Sequence, residues 1–352
     1  MTRPGHHEAN ARGVVSDLAW TRPTVSVVVP ARNGERTIEA CLTSILGSDY
    51  PEALREVVVV DNASTDRTAD IVRRYPVKQV HEPMRGRSHA RNRGIQSSAG
   101  HIVAFTDADC VVAPSWLREL VEAFDEDTVS AVAGEILPHQ PRTPSQEYMV
   151  MRKRCWQRVA LTSPWPYAVT ANVAFRRHVF DRIGGFDPRF PTGEDQDISW
   201  RFLQAGLVLR YAPTAIVFHR HRSTAWDFFV QQLGWAHGSW RLRSCYELPG
   251  GLRAQGGQRR RLLTLTATCV RAGCLYLARG GPKTNFYNPL FDVIREVAWR
   301  LAGTYSALTA LPDVFRPRPR ARLDVRQWHV RYEEPDDDRA APAFASPTDG
   351  EG

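Results

Sequence analysis

No uncharged apolar run in this 352-residue chain reaches the ~18 residues that a membrane span needs, which excludes a polytopic membrane protein. Cysteine is scarce, six residues with no paired framework, and that argues against a disulfide-stapled secreted scaffold. The N-terminus carries no apolar signal segment, so a cytoplasmic, reducing location is expected. No G-x-G-x-x-G follows the first apolar run and no G-x-x-x-x-G-K-[ST] occurs, which disfavours a dinucleotide-binding fold and a P-loop NTPase. What is present points to a folded protein. Apolar residues make up 43% of the chain and aromatics 10%, too many for a disordered chain. The length predicts about two domains and a sizeable core.

Charge is unevenly spread. The net charge is +8, a balance that suits nucleic acid, an anionic membrane or a phosphorylated substrate. Arg241 to Arg326 holds 16 Lys and Arg against 5 acidic residues, whereas Glu333 to Gly352 holds 7 acidic residues and one Arg. A basic C-terminal region thus precedes an acidic tail.

Hydrophobic patterning gives the fold class. Val25–Pro30, Val57–Val60, Val77–His81, His101–Thr106 and Val129–Ile136 read as strands. Between them Arg36–Leu46, Thr65–Tyr75, Ser88–Ser98 and Pro114–Phe124 read as helices, with Asp66 a cap and Pro114 at a favoured helix start. Alternating strands and helices, with continuously apolar strands, predict an α/β fold on a mainly parallel sheet covered on both faces. Ligands in such sheets sit beyond the C-terminal ends of the strands.

Those ends are polar. Pro30-Ala31-Arg32-Asn33-Gly34 follows the first strand, Asp61-Asn62-Ala63-Ser64-Thr65-Asp66 the second and Asp107-Ala108-Asp109 the fourth. Two carboxylates at i and i+2 past a buried strand suit Mg²⁺ or Mn²⁺ shared with substrate phosphates, although the same residues also serve as loop caps. Asp61 can accept hydrogen bonds from a base or ribose, or close an Asx turn. Arg85, Arg87, Arg91 and Arg93 are candidate phosphate partners, some of them ordinary solvated arginines. Further on, Glu194 and Asp195 open a helix at Ile198–Ala205 and are candidates for a general base, although acidic residues at a helix start are favoured anyway; Asp197 is read that way. His219 follows the apolar run Ile216–Phe218 and can complete a metal site, whereas a lone histidine is ordinarily structural.

In order and spacing, VSVVVPARNG, EVVVVDNASTDRT, GRSHARNRGI, AFTDADC, NVAFRRHVFDRIGGFDPRF and GEDQDISWRFLQAGLVLRYAPTAIVFH resemble the family 2 glycosyltransferases of GT-A fold, over Thr24 to His221. The resemblance implies a mainly parallel GT-A sheet with a mostly helical C-terminal extension, and a metal-dependent inverting transfer from a nucleotide-sugar, typically a UDP-sugar. It implies backbone contact to the nucleotide at Pro30 and Ala31. Arg32 stands where the family usually has an aromatic. By the same resemblance Asp61 reads the base, Arg87 and Asn92 lie near the diphosphate and sugar, and Asp107 and Asp109 form the DxD pair. Asp109 and His219 hold the metal, Asp195 is the general base and Glu194 lies beside it, orienting acceptor or donor.

Beyond Ser223 the resemblance fades. Trp226, Phe228, Phe229, Trp235 and Trp240 form an aromatic segment, either an acceptor wall or core packing. Leu262–Leu277, beside Arg253, Arg259, Arg260 and Arg261, reads as a helix suited to an anionic membrane surface or as a buried helix with a basic edge. Cys269 and Cys274 have no other Cys or His nearby to make a metal site. The expected division is an N-terminal arm at 1–23, a catalytic domain at 24–222, a basic helical region at 223–315, and a linker with an acidic disordered tail at 316–352. Expected partners are the nucleotide-sugar donor, a glycan or lipid-linked acceptor of cell-envelope type, and the inner membrane surface; no nucleic acid is expected. The competing readings are a nucleotidyltransferase, which the GEDQD segment and His219 disfavour, and a non-catalytic basic binding module.

Overall fold

The computed structural model describes residues 22–152, 156–247, 264–272, 274, 283–309 and 321–332. The valine-rich strands β1 (Val25–Ala31) and β2 (Arg55–Asp61) pair in parallel, with Val27 opposite Val57 and Ala31 opposite Asp61. Both faces are covered, as continuous β-branched runs require. α1 (Ile38–Leu46) packs Ile38, Leu42 and Ile45 against Val27, Val29, Val57 and Val59. From the opposite side comes Ala90 of α3 (Arg87–Gln96), against Val58 and Val60. Each fully buried valine contributes about 1.5–3 kcal/mol. α2 (Thr68–Val72) is shorter than the helix expected at Thr65–Tyr75. Asp66 ties down its entry, accepting from the backbone N–H of Thr68 at 3.0 Å and of Glu35 at 3.1 Å.

Strands β3 (Lys78–His81) and β4 (Ile102–Phe105) complete a parallel half in the order β3-β2-β1-β4. The chain then runs through β5 (Cys110–Val112), α4 (Trp116–Glu122) and β6 (Val129–Pro138). Next come α5 (Pro144–Met151), α6 (Gln157–Leu161), β7 (Val173–Arg176), α7 (His178–Ile183), α8 (Glu194–Gln204) and β8 (Val208–His219). β7 lies antiparallel between β4 and β6, β8 runs parallel to β6, and β5 runs antiparallel to the end of β8. Asn172 pins this seam. Its Nδ2 donates to the carbonyls of Glu135 and Ala215, at 2.7 and 2.8 Å, while its Oδ1 accepts from Trp116 Nε1 at 2.8 Å. The α/β class with a mainly parallel sheet is therefore present, with short antiparallel strands that the sequence patterns did not flag.

Two C-terminal helices, α9 (Ala225–Cys245) and α10 (Thr284–Thr309), pack on α5. The rings of Phe228, Phe291 and Tyr148 meet with centroids 5.2–5.4 Å apart. Asp292 accepts from Tyr148 Oη at 2.7 Å and pairs with Arg152 and Arg295. The aromatic segment divides accordingly: Phe228 is core, whereas Trp226 is 69% exposed. No helix among the described residues is long and apolar enough to cross a membrane.

One stretch expected to be linker is ordered structure. Residues 321–332 form a short 3-10 turn and β9 (His329–Arg331), which adds in parallel to β8 at Val208–Arg210. Trp328 packs against Trp165 there, and Tyr332 stacks on Tyr211. These aromatic contacts outweigh a basic, proline-flanked local composition. Residues 1–21, the arginines at 253 and 259–261, the run 316–320 and the tail 333–352 lie outside the described residues. At the end of the N-terminal arm, the Pro23 carbonyl accepts from Tyr50 Oη at 2.5 Å.

Candidate active site

The loops after β1 and β2 brace each other. Asn62 N donates to the Ala31 carbonyl at 2.8 Å, and Thr65 N donates to Asn33 Oδ1 at 2.8 Å. Asn33 and Ala63 both have positive φ, 51° and 52°. For Ala63 that is a strained conformation, of a kind that clusters at ligand-binding loops. Asp61 is buried at the end of β2. One carboxylate oxygen closes an Asx turn by accepting from Ser64 N at 3.2 Å, and the other lies 3.3 Å from His81 Nδ1. Asn62, for which the sequence offered no role, accepts from Gly86 N and donates to the carbonyls of Glu82 and Met84. It thereby fixes the approach to α3.

Helix α3 organises the rest. Ser88, Arg91 and Asn92 stand at i, i+3 and i+4, hence on one face. Ser88 Oγ donates to the Asp187 carbonyl at 3.1 Å. Both ends of the Asn92 amide are occupied by the Phe186 backbone, at 2.7 and 2.8 Å. Asn92, which the resemblance places near the diphosphate and sugar, thereby holds the loop that leads to Glu194. Arg91, 2% exposed, donates from Nη1 to Glu194 Oε1 at 2.8 Å and from Nη2 to Asp107 Oδ1 at 3.1 Å. Asp195 Oδ1 is 3.8 Å from Nη1. Burial, the largest influence, would raise the Asp107 carboxyl, but Arg91 together with Arg87 and His219 outweighs it and holds that carboxyl below the usual range. Arg87 reaches to 3.9 Å from Glu194 and is half-exposed.

Asp195 sits in the first turn of α8 and accepts from Thr170 Oγ1 at 2.6 Å. Desolvation by burial, reinforced by Glu194, pushes the Asp195 carboxyl up to about 6, against the pull of Arg91 and Thr170. Asp197 faces elsewhere, bonded to Tyr246 Oη at 2.6 Å and to Arg201, in keeping with a structural role.

The loop before Glu194 rests directly on α9. Thr192 Oγ1 donates to the Gly234 carbonyl at 2.5 Å. Gly193 has φ +90°, and a Cβ there would lie 2.8 Å from Leu242 Cδ1. A Cβ on Gly238 would lie 2.6 Å from the Thr192 carbonyl carbon, a backbone atom that cannot swing aside. Gly238→Ala is therefore expected to displace the Glu194–Asp195 turn and lower turnover at least tenfold, since small misplacements at a reacting centre are costly. Steady-state kinetics alongside urea unfolding checks this.

The DxD carboxylates point different ways. Asp107 faces Arg91, whereas Asp109 Oδ1 lies 3.6 Å from His219 Nε2 and its Oδ2 lies 3.7 Å from Arg222 Nη2. His219 is buried, and among the described residues its Nδ1 has no hydrogen-bond partner. A family model described as glycosyl transferase family 2 matches residues 26–184. Glycosyltransferase AglE of Haloferax volcanii is 31% identical over 218 residues, 58% of this chain and 69% of that protein. This chain belongs to glycosyl transferase family 2. Another relative is the pre-mycofactocin glycosyltransferase of Mycobacterium tuberculosis, 31% identical over 217 residues; the match takes in 59% of this chain but only 45% of that protein. The chain thus matches less than half the length of that relative. Mannosyltransferase PcManGT from Pyrobaculum calidifontis, solved in complex with GDP-Man and Mn²⁺, shares the fold: 24% identity, TM-score 0.56, covering 82% of this chain and 88% of that one.

The family 2 chain thus brings Asp107, Arg87, Glu194 and Asp195 together around Arg91 and places Asp109 beside His219. Pro30 and Ala31 lie at the end of β1. Arg32 is exposed. The sequence reading noted Arg91 only as one of four arginines; the i, i+3, i+4 polar face of α3 was the available signal.

Proposed function

We propose that the protein is an inverting, metal-assisted glycosyltransferase that moves a sugar from a UDP-sugar to an acceptor hydroxyl. One observation carries the reading: Arg91 gathers a carboxylate from the DxD segment and two from the start of α8 into one cluster at the sheet's C-terminal edge. Donor-side and acceptor-side groups then share one cluster.

Mg²⁺ or Mn²⁺ fits the residues present. Asp109 offers hard oxygen, and the buried His219 imidazole beside it makes no other bond through Nδ1. Such an ion supplies positive charge that stabilises a diphosphate leaving group. The Mn²⁺ and GDP-Man named for PcManGT support a divalent ion and a nucleotide-sugar in this fold. Asp61 accepts from the base, and Arg87 lies toward the phosphates. Asp195 takes the proton of the acceptor hydroxyl as its oxygen attacks the anomeric carbon from the face opposite the diphosphate. The bond from that carbon to the diphosphate oxygen breaks, its electron pair leaves with UDP, and the configuration inverts.

A base must be deprotonated to act. Because Asp195 is pushed up to about 6 in the free protein, kcat/KM is expected to rise with pH through that value, on a limb that is absent in Asp195→Asn. The test of the class is product analysis: a UDP-sugar incubated with acceptor should release UDP. No UDP from a UDP-sugar, but pyrophosphate released from UTP and a sugar 1-phosphate, would instead identify a nucleotidyltransferase. The catalytic unit is read as 24–222, with 223–315 as a helical extension. That extension's basic composition and the exposed Trp226 and Val230 support a glycan or lipid-linked acceptor and a peripheral place at an anionic membrane surface.

A further inference from the structure

We infer that Cys110 is a third ligand at the Asp109–His219 cation site, so that this site takes a thiophilic divalent ion such as Zn²⁺ more tightly than Mg²⁺. The inference rests on the reading of Asp109 and His219 as metal ligands and deepens it. Cys110 Sγ, a carboxylate oxygen of Asp109 and a ring nitrogen of His219 all lie within 4.8 Å of one another. Sγ is 4.0 Å from Asp109 Oδ1, and His219 Nε2 is 3.6 Å from that same oxygen. Bonds of about 2.0–2.3 Å to a tetrahedral ion separate ligand atoms by roughly 3.3–3.8 Å, so the three close on an ion with shifts of a few tenths of an ångström to about 1 Å.

Backbone register explains the placement. Cys110 is directly opposite His219 in the antiparallel β5–β8 pair, so the two side chains leave the ladder on one face. Asp109, one residue earlier, turns its carboxylate to the same point. His219 is only 8% exposed, its ring stands beside the Asp109 carboxylate and the His221 ring, and among the described residues its Nδ1 has no hydrogen-bond partner. Cys41, also buried nearby, is engaged elsewhere, with its Sγ 3.5 Å from the Asp107 carbonyl.

The consequence is ion selectivity. Two hard or borderline ligands suit Mg²⁺ or Mn²⁺, whereas a thiolate beside them favours softer ions. On binding, the Cys110 thiol gives its proton to solvent and the sulfur forms the bond to the ion. Zn²⁺ would then compete with the ion that supports transfer.

The test is titration of the full-length protein with Co²⁺ alone, followed by absorption. Wild type is expected to show a near-ultraviolet thiolate-to-cobalt band, which Cys110→Ser and Cys110→Ala both lose and Cys269→Ser keeps. Calorimetry is expected to show Zn²⁺ affinity falling about tenfold or more in Cys110→Ser, with Mn²⁺ affinity changed far less. Mn²⁺-dependent UDP binding in the same variants shows that they are folded. It also reads the Asp109–His219 site separately from the cysteine. Cobalt ligand-field bands without a thiolate band, or a thiolate band that survives Cys110→Ser, would overturn the assignment while leaving the two-ligand site standing.

Discussion

Asp195→Asn is expected to lower sugar transfer by about 10²–10⁴-fold, the range a positioned general base supplies, while UDP binding stays nearly intact. The amide keeps the size of the carboxylate and can still accept from Thr170 Oγ1, which lies 2.6 Å from Asp195 Oδ1. What it loses is the capacity to take the acceptor's proton. Substituting Asp195 also removes a charge that lies 3.8 Å from Arg91, but Glu194 and Asp107 remain as that guanidinium's direct partners. The cluster should therefore stay folded. Single-turnover transfer and UDP calorimetry on the same preparation separate the two effects. Equal loss of both would remove Asp195 from the role of base.

Arg91→Met has the largest expected effect on stability. Its guanidinium is buried against Phe186, with the charge centre 5.5 Å from the ring centroid. It bridges Asp107 on the sheet side to Glu194 on α8. Deleting one partner of a buried ionic cluster leaves uncompensated charge and costs about 3–5 kcal/mol. Urea unfolding is expected to show a loss of that size, with activity abolished. Arg91→Lys should recover part of the stability, since it restores the charge but not the two-armed bridge. Adding Glu194→Gln to Arg91→Met should recover stability without activity, and a double-mutant cycle measures that coupling. A stability change under about 1 kcal/mol for Arg91→Met would mean that the hub is incidental.

The parallel half of the fold was legible because its strands are continuous β-branched runs ending in polar turns, as at Val57–Asp61. The antiparallel strands were not. Cys110–Val112 and Val173–Arg176 are three and four residues long, and their pairing is fixed by partners about 40 to 110 residues away. β9 was hidden for a related reason: its packing through Trp328 and Tyr332 is tertiary. In the site, the carboxylates were legible as residue types at strand and helix ends. Their mutual arrangement was not. Arg91 looked like its solvated neighbours Arg85 and Arg93, because sequence does not say which arginine of a helix faces inward until the loop at 186–195 is docked on it. Nor does the sequence show that the Asn92 amide bonds the backbone of Phe186, 94 residues on.

The central claim is a nucleoside diphosphate held with a divalent ion at Asp109. The most direct test is thermal stability of wild type and Asp109→Ala with UDP, GDP and UDP-sugars, each with Mn²⁺ and with chelator. A ligand that occupies the folded site stabilises it by about 2.7 kcal/mol at a hundredfold excess over Kd. The expected result is a shift with UDP and one UDP-sugar that needs Mn²⁺ and disappears in Asp109→Ala. A metal-dependent shift with GDP alone would keep the site and reassign the base. A metal-dependent shift with none of these ligands, or one unchanged in Asp109→Ala, would contradict the account.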